Sequence, residues 1–500
     1  MKFPRPHRPF PPLQLRPEYI DSLIQLEQSL VDQTIAEYDQ FAYIQGGVVD
    51  KSKWKHVTSR DNLHIYSAIG DHSDDYHLIM QEHLLDSSAS TSSSRVMATS
   101  RMDVKGGMRL MGVGTVAGSL SDFLFCDATR STEDMQIRTS YVPDDGMDWD
   151  FVYELRGATW DNPFRTSAIK YHVIATTGTA GIGVRPRDLL MLDSAGETTL
   201  PNGERVGYSI YHSIEVPGCG PVEGIVRMQL SASYIYRSRG PNSVEIYMRE
   251  LCEMGGKLND SVATLSMANS LVSVWKTAWG GQNKKLAWML NQQRRNGAHK
   301  QSEVRTSDRC HMCKKGFSLL RSETECDLCK EHICSKCLVV RKISYVRPSR
   351  KLVQVPTRFC KHCIMQASLI DTADIARKEF VRKEMDSCSE GSISESIRNP
   401  HSESQNSTGS NDSSLSPSSV PSDITVETVE DWEKAQFNPR GTVYSYSSDE
   451  ALANQQPLAN VDNYQSELMT RMEQLRLAAE QTYHLTKENE RFMNSARLLE

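Results

Sequence analysis

The chain has 500 residues, 38% hydrophobic and 24% charged, and its 57 Lys and Arg against 63 Asp and Glu leave a formal net charge of −6. That length has room for one large globular domain plus accessories. The charge balance supplies no overall basic surface for nucleic acid, and no run of about 20 apolar residues is present to span a bilayer as a helix.

Residues 1–16, MKFPRPHRPFPPLQLR, are basic and proline-rich without an apolar h-region, which reads as an extended lead-in rather than a secretory signal, so a cytoplasmic chain is expected. From Pro17 a helical period follows: Ile20, Leu23, Ile24, Leu30, Val31, Ile35, Tyr38 and Phe41 mark an apolar face, with Glu27, Asp32 and Asp39 largely off it. Beyond Trp54 the pattern changes to short β-branched and aromatic runs separated by turn residues, which predicts strands near 62–69, 94–101, 149–156, 166–176, 187–193, 206–216 and 224–236. A helix is expected over Thr115–Cys126 and a long one over Asn259–Trp279, capped by Asn259 or Asp260 and apolar at Val262, Leu265, Leu271, Val272 and Trp275. Cys126, Cys219 and Cys252 are unpaired in spacing and read as buried thiols. A helix, a mainly antiparallel sheet and a long closing helix make an α+β arrangement in which the last helix lies across a curved sheet.

This order resembles START-type lipid-binding domains, the helix-grip fold, over residues 17–283. The marks are Trp54-Lys55 ahead of the first strand, Arg187-Asp188-Leu189 in the manner of the family's RDF segment, a polar strand pair around Pro201-Asn202-Gly203, and the 259–279 helix in the place of the lid helix. The resemblance implies enclosure of a hydrophobic lipid such as a sterol, phospholipid or ceramide, admitted by movement of a loop or of the closing helix. Val262, Leu265, Met267, Leu271 and Trp275 are the cavity candidates, with ordinary helix-to-sheet core as the competing reading.

A basic linker is expected over 284–300 and a metal-folded module over 301–368. Four CxxC pairs, Cys310/Cys313, Cys326/Cys329, Cys334/Cys337 and Cys360/Cys363, supply the ligands of two structural zinc ions with none left over. Because pairs two and three stand only four residues apart, a cross-brace is expected. Cys310, Cys313, Cys334 and Cys337 then hold one ion, and Cys326, Cys329, Cys360 and Cys363 the other. So small a module takes its folding free energy from the metal, and closed four-thiolate sites leave no position for catalysis. A disulfide framework is the competing reading, disfavoured in a long, otherwise cysteine-poor chain.

These residues resemble the FYVE zinc fingers, which bind phosphatidylinositol 3-phosphate on endosomal membranes. The eight ligand spacings fit, KKGFSLL after Cys313 is similar to the family's GxFS segment and inserting turret, and Arg358-Phe359-Cys360 to its RVC motif. Leu319 and Leu320 would be the inserting pair and Arg358 a further membrane contact. The family's basic RRHHCR signature is absent: Ser322, Glu323, Thr324, Glu325 and Asp327 stand there, and carboxylates repel a phosphorylated headgroup. Arg305 stands where the WxxD motif has its tryptophan. Residues 301–370 still carry 14 Lys and Arg against 6 Asp and Glu, enough for non-specific contact with an anionic membrane. A RING-type ubiquitin ligase finger shares the cross-brace but places a histidine among its middle ligands, where the spacing of His332 is wrong.

A short helix is expected over 369–385. The stretch 386–460 is serine-rich, with 15 Ser in the 40 residues from Asp386 to Thr425, and is expected to be disordered. In 461–500, Leu468, Met472, Leu475, Ala479 and Thr482 set a coiled-coil rhythm, with a second phase from Leu485, for a homodimer or a partner helix. Dinucleotide, P-loop, GxSxG, HExxH and kinase signatures are absent, so no enzyme is expected. The combined reading is a non-enzymatic adaptor or lipid sensor, peripheral on endosomal membranes, resembling START-FYVE proteins known from oomycetes. The alternatives are a protein-interaction scaffold with a filled core and a RING-like ligase.

Overall fold

The computed structural model describes residues 3–70, 107–175, 184–297, 308–318, 322–391 and 427–432. All lie in one unit, Met1–Pro439. The strand expected at 94–101, Leu319 and Leu320, and the helix expected over 461–500 lie outside the described residues.

In chain order the helix-grip part comprises α1 (Pro17–Asp39), β1 (Trp54–Arg60), β2 (Leu63–Ala68), β3 (Met108–Ala117), α2 (Leu120–Asp127), α3 (Thr132–Tyr141), β4 (Gly146–Arg156), β5 (Thr166–Ile174), β6 (Arg187–Thr199), β7 (Arg205–Ser213), β8 (Val226–Arg227), β9 (Gln229–Ser238), β10 (Ser243–Glu253), α4 (Asp260–Val272) and α5 (Thr277–Gly297). The strands run β1-β2-β3-β10-β9-β7-β6-β5-β4 in one antiparallel sheet, with the short β8 parallel to the start of β6. This is the α+β arrangement expected, a large sheet gripping α4.

Alternation along the strands explains the layers. On β6, Leu189 and Met191 join the inner core with Ala263, Met267 and Leu271 of α4, whereas Leu190 and Leu192 join the outer core with Tyr19 and Leu23 of α1. The α1 face differs from the expected one. Its buried line is Tyr19, Leu23, Glu27, Val31, Thr34 and Tyr38, with Glu27 at its centre. The sheet satisfies that carboxylate, since Ser167 and Ser194 donate hydroxyl hydrogen bonds to it at 2.6 Å and Arg156 pairs with it at 2.8 Å. The lead-in also docks, with Phe10 edge-on to Tyr171 at 5.1 Å and Arg5 paired with Asp148 at 2.5 Å.

Several elements depart from expectation. Trp54 and Lys55, expected ahead of the first strand, open β1, and β1, β3 and β10 are strands that the sequence pattern did not predict. Residues 115–117 end β3, and the helix after it starts at Leu120, capped by Ser119, whose hydroxyl accepts from Asp122 N. The closing helix is two, because a 3-10 turn over Ser273–Lys276 separates α4 from α5. Asn259 caps α4 as expected, accepting from the Ser261 and Val262 amides. Most of the expected basic linker at 284–300 is instead α5: Lys285 pairs with Asp122 of α2 at 2.8 Å inside the protein, and Leu286 and Leu290 lie in the core of the cysteine-rich module.

That module contains β11 (Glu323–Glu325) paired with β12 (His332–Cys334), and a hairpin of β13 (Leu338–Val346) and β14 (Leu352–Cys360). α6 (Lys361–Leu369) and α7 (Thr372–Gly391) follow, the latter running past the expected end at 385. The hairpin leans on α3 and β4: Ser344 N donates to the Tyr141 hydroxyl at 2.7 Å and Arg350 Nη2 to Trp149 O at 2.9 Å. Residues 429–432 form one further helical turn. They fall inside the stretch expected to be disordered, of which 392–426 and 433–460 lie outside the described residues, and they are docked, with Val429 and Trp432 buried.

Candidate functional site

Between the inner sheet face, α3 and α4 lies a cavity of about 130 Å³. Met267, Leu271 and Val274 line it from the closing helices, with Ile174, Met191 and Leu230 from the sheet. The remaining wall mixes Met135, Val142 and Trp149 with polar and charged groups. Arg138 of α3 reaches Asp127 at 2.8 Å and Asp144 at 3.0 Å, and Lys170 pairs with Asp193 at 2.9 Å. Tyr236 donates to Asp127 at 3.1 Å, and Tyr211 and Tyr234 pack edge to face at 5.7 Å. Two lining atoms, Glu250 Oε1 and His172 Nε2, are buried with no hydrogen-bond partner among the described residues. Burial pushes the Glu250 carboxyl up to about 8 and holds His172 below its ordinary value.

Two of the five cavity candidates, Met267 and Leu271, line this space. Leu265 is on the outer side of α4 and 50% exposed, and Val262 is half-buried away from the cavity. Trp275 sits in the core under the Arg60 guanidinium, 4.3 Å from its ring centre, because the 3-10 turn rotates it out of the α4 face. The polar lining residues were not among the candidates. Their signal is strand parity: Glu250 has the inward parity of Val244, Ile246, Met248 and Cys252 on β10, and Asp193 that of Leu189 and Met191 on β6. A second cleft of about 470 Å³ lies at the other end of α4, lined by Asp260, Ala263 and Thr264 together with Gly255 and Gly256. The two glycines, at φ of 60° and 66°, form the connection into α4. As expected, Cys126, Cys219 and Cys252 are buried free thiols, and burial raises that of Cys126 to about 12.

The eight finger cysteines gather into the two expected sets, Cys310, Cys313, Cys334 and Cys337, and Cys326, Cys329, Cys360 and Cys363, with the sulfurs of each set within 4.8 Å of one another. A zinc–sulfur bond of about 2.3 Å in a tetrahedron sets sulfurs roughly 3.8 Å apart. The Cys313–Cys334, Cys326–Cys363 and Cys329–Cys360 separations are each 3.8 Å, which fits that geometry and is far from a disulfide, about 2.05 Å. Backbone amides point at the sulfurs as they do around thiolates: Cys334 N donates to Cys310 Sγ at 3.3 Å and Cys360 N to Cys326 Sγ at 3.2 Å. The first two knuckles close through Lys314 and Lys330 at φ of 58° and 64°, whose amides donate to the carbonyls of Cys310 and Cys326. Each set therefore fits one tetrahedral metal ion and leaves no protein ligand over.

The acids around Cys326 neutralise their own neighbourhood. Asp327 takes Arg358 in a fork, 2.9 Å from Nη2 and 3.3 Å from Nε, so this membrane-contact candidate is held inside the finger. Glu323 lies 2.7 Å from His332 and Glu325 3.4 Å from Lys330.

No family model matches the chain, and no curated protein matches it. Among solved structures it is similar to human StAR-related lipid transfer protein 5, at 13% identity over 52% of this chain and 97% of that one, with a TM-score of 0.33. It is also similar to human STARD10, at 12% identity over 51% and 84% with a TM-score of 0.31, and to a STAR-related lipid transfer protein from Xanthomonas axonopodis, at 11% identity over 46% and 99% with a TM-score of 0.29.

Proposed function

We propose that this chain is a non-enzymatic lipid-binding protein whose helix-grip part takes up an amphipathic ligand and whose cysteine-rich module is folded by two zinc ions. The observation that carries the reading is the cavity with one apolar wall and, facing it, the partnerless Glu250 Oε1 and His172 Nε2. An apolar body fits against Met267, Leu271 and Val274, and a hydrogen-bonding head satisfies the two orphaned atoms. A volume of about 130 Å³ is below the ~300–1,000 Å³ of ordinary ligand sites, so uptake of a whole lipid requires α4 to swing outward. The glycine pair before α4 and the 3-10 turn after it are its hinges. Zinc supplies folding free energy to the finger and no catalysis.

The neutralised Arg358 favours charge-driven contact with anionic membranes over selection of a phosphoinositide head, and we place the chain at such surfaces in the cytoplasm, with 461–500 as a self-association segment. The test is extraction of the purified full-length chain and mass spectrometry of bound lipid, beside Leu271→Trp, which fills the cavity, with folding followed by circular dichroism. One lipid per chain, lost in the folded Leu271→Trp variant, supports the reading. A folded chain carrying no lipid, and taking none from vesicles, replaces it with the protein-interaction scaffold. Elemental analysis should return two zinc ions per chain, and flotation on phosphatidylserine and phosphatidylinositol 3-phosphate vesicles should show equal, salt-sensitive binding.

A further inference from the structure

Glu427–Trp432 (sequence ETVEDW) is separated from Gly391, the end of α7, by 35 residues, 13 of them Ser. It nevertheless has a fold of its own. The Thr428 side chain accepts from Asp431 N at 3.2 Å, Asp431 Oδ2 accepts from the Thr428 amide at 3.1 Å and its hydroxyl at 2.9 Å, and Trp432 N donates to Thr428 O at 3.2 Å. This reciprocal cap fixes one helical turn from local sequence alone. It places Val429 and Trp432, three apart, on one side, where both are buried, and leaves Thr428 and Asp431 exposed on the other.

The receiving surface comes from both parts of the folded unit. Trp432 meets Trp279 of α5 with ring centres 5.7 Å apart, and passes so close to Gly118 that a Cβ there would stand 3.4 Å from its ring. From the finger, Val340 O accepts the Glu427 amide at 2.7 Å, and Arg341 Nε donates to the Glu427 carboxylate at 2.6 Å. The Arg341 guanidinium lies 4.3 Å from the Trp279 ring centre, is 1% exposed, and has no hydrogen-bond partner among the described residues for either Nη atom. Among the described residues Glu427 supplies its one ion pair. A buried cation whose anion arrives on a remote segment, beside an aromatic slot filled by that segment's tryptophan, is the construction of a peptide-binding site, with one charged and one aromatic anchor.

We propose that Glu427–Trp432 is a tethered peptide ligand and that the Arg341–Trp279–Gly118 groove binds it reversibly, latching finger to helix-grip part. Because the ligand is covalently attached, a free copy has to compete with an intramolecular one. The experiment uses a fluorescent peptide spanning residues 424–435 and full-length chain lacking 427–432, read by anisotropy. The deleted chain should bind the peptide saturably and the intact chain at least tenfold more weakly. Glu427→Gln and Trp432→Ala peptides should each lose at least tenfold. Full-length Trp432→Ala, which keeps the backbone and opens the slot, should gain binding to the peptide, and this variant decides the matter where the deletion does not fold. Equal binding to intact and opened chains, binding indifferent to Trp432, or no binding to the folded Trp432→Ala chain would overturn the proposal and make the segment a permanent strut. Lipid uptake enters none of these readouts.

Discussion

Two glutamates buried against opposite faces of the same sheet sit in opposite electrostatic settings. Glu27 has three donors, from Ser167, Ser194 and Arg156. Replacing it with Ala strands all three, so Glu27→Ala should lower the urea-unfolding free energy by about 3 kcal/mol, and Glu27→Gln by less. Glu250 has no ion pair among the described residues, and burial raises its carboxyl to about 8 from 4.5. Between those pH values the native chain keeps a proton that the unfolded chain has released, so stability falls as pH rises from about 4.5 to 8 and the loss is complete above 8. Glu250→Gln should therefore match the parent at pH 4.5 and exceed it at pH 8, by on the order of 5 kcal/mol. Identical denaturation midpoints at pH 8 would show that Glu250 has found a partner, the proposed ligand included. The two were missed for different reasons. The helical period assigns Glu27 to solvent because its two serine partners lie 140 and 167 positions away in sequence. Glu250 carries the inward parity of Val244, Ile246, Met248 and Cys252, but no strand was expected over Ser243–Glu253, so that parity had no element to attach to.

The elements carry the same lesson in a graded form. Ligand spacing made the cysteine pairing fully legible, since four CxxC pairs with two of them adjacent admit few geometries, and the turn at Pro201–Gly203 and the cap at Asn259 follow from single residues with one physical role. α5 was legible only in part. Lys284 and Lys285 read as the start of a basic linker, yet Asp122 of α2 accepts from Gln282 at 2.6 Å and pairs with Lys285 at 2.8 Å, both partners buried. A polar run becomes helix core when a distant acid meets it, which composition cannot reveal. Lys285→Ala strands Asp122 and should cost about 3–5 kcal/mol in calorimetric or denaturant unfolding. The double replacement Asp122→Leu with Lys285→Met removes both charges and should recover most of that loss, since a buried pair contributes little net stability over apolar residues of similar size. A double variant as weak as the single one would instead assign the loss to Gln282 and the packing around it.

At the scale of the whole unit, α5 is the member that two cores share. Ala278 and Trp279 at its start belong to the core of the helix-grip part, and Leu286 and Leu290 to the core holding Cys310, Cys326 and Phe359. The hairpin that ties the two cysteine sets together also fixes α3 through Tyr141, and α3 supplies Met135 and Arg138 to the cavity. Metal binding, worth on the order of 10 kcal/mol to a structural zinc site, is then felt beyond the finger. A chelator that strips the proposed ions removes the cover of Leu286 and Leu290 and the anchor of α3 together. The metal-loaded chain should melt in one transition. The stripped chain should melt lower, and amide exchange should quicken in α3 and in the second half of α5 while the outer core around Tyr19, Leu23 and Tyr171 stays protected. Cys334→Ser, which removes one ligand of the first set only, should lose one zinc and give part of the same change. If the chelated chain keeps its melting temperature and its α3 protection, the two parts are merely adjacent, and the finger acts on the cavity through nothing but the chain that joins them.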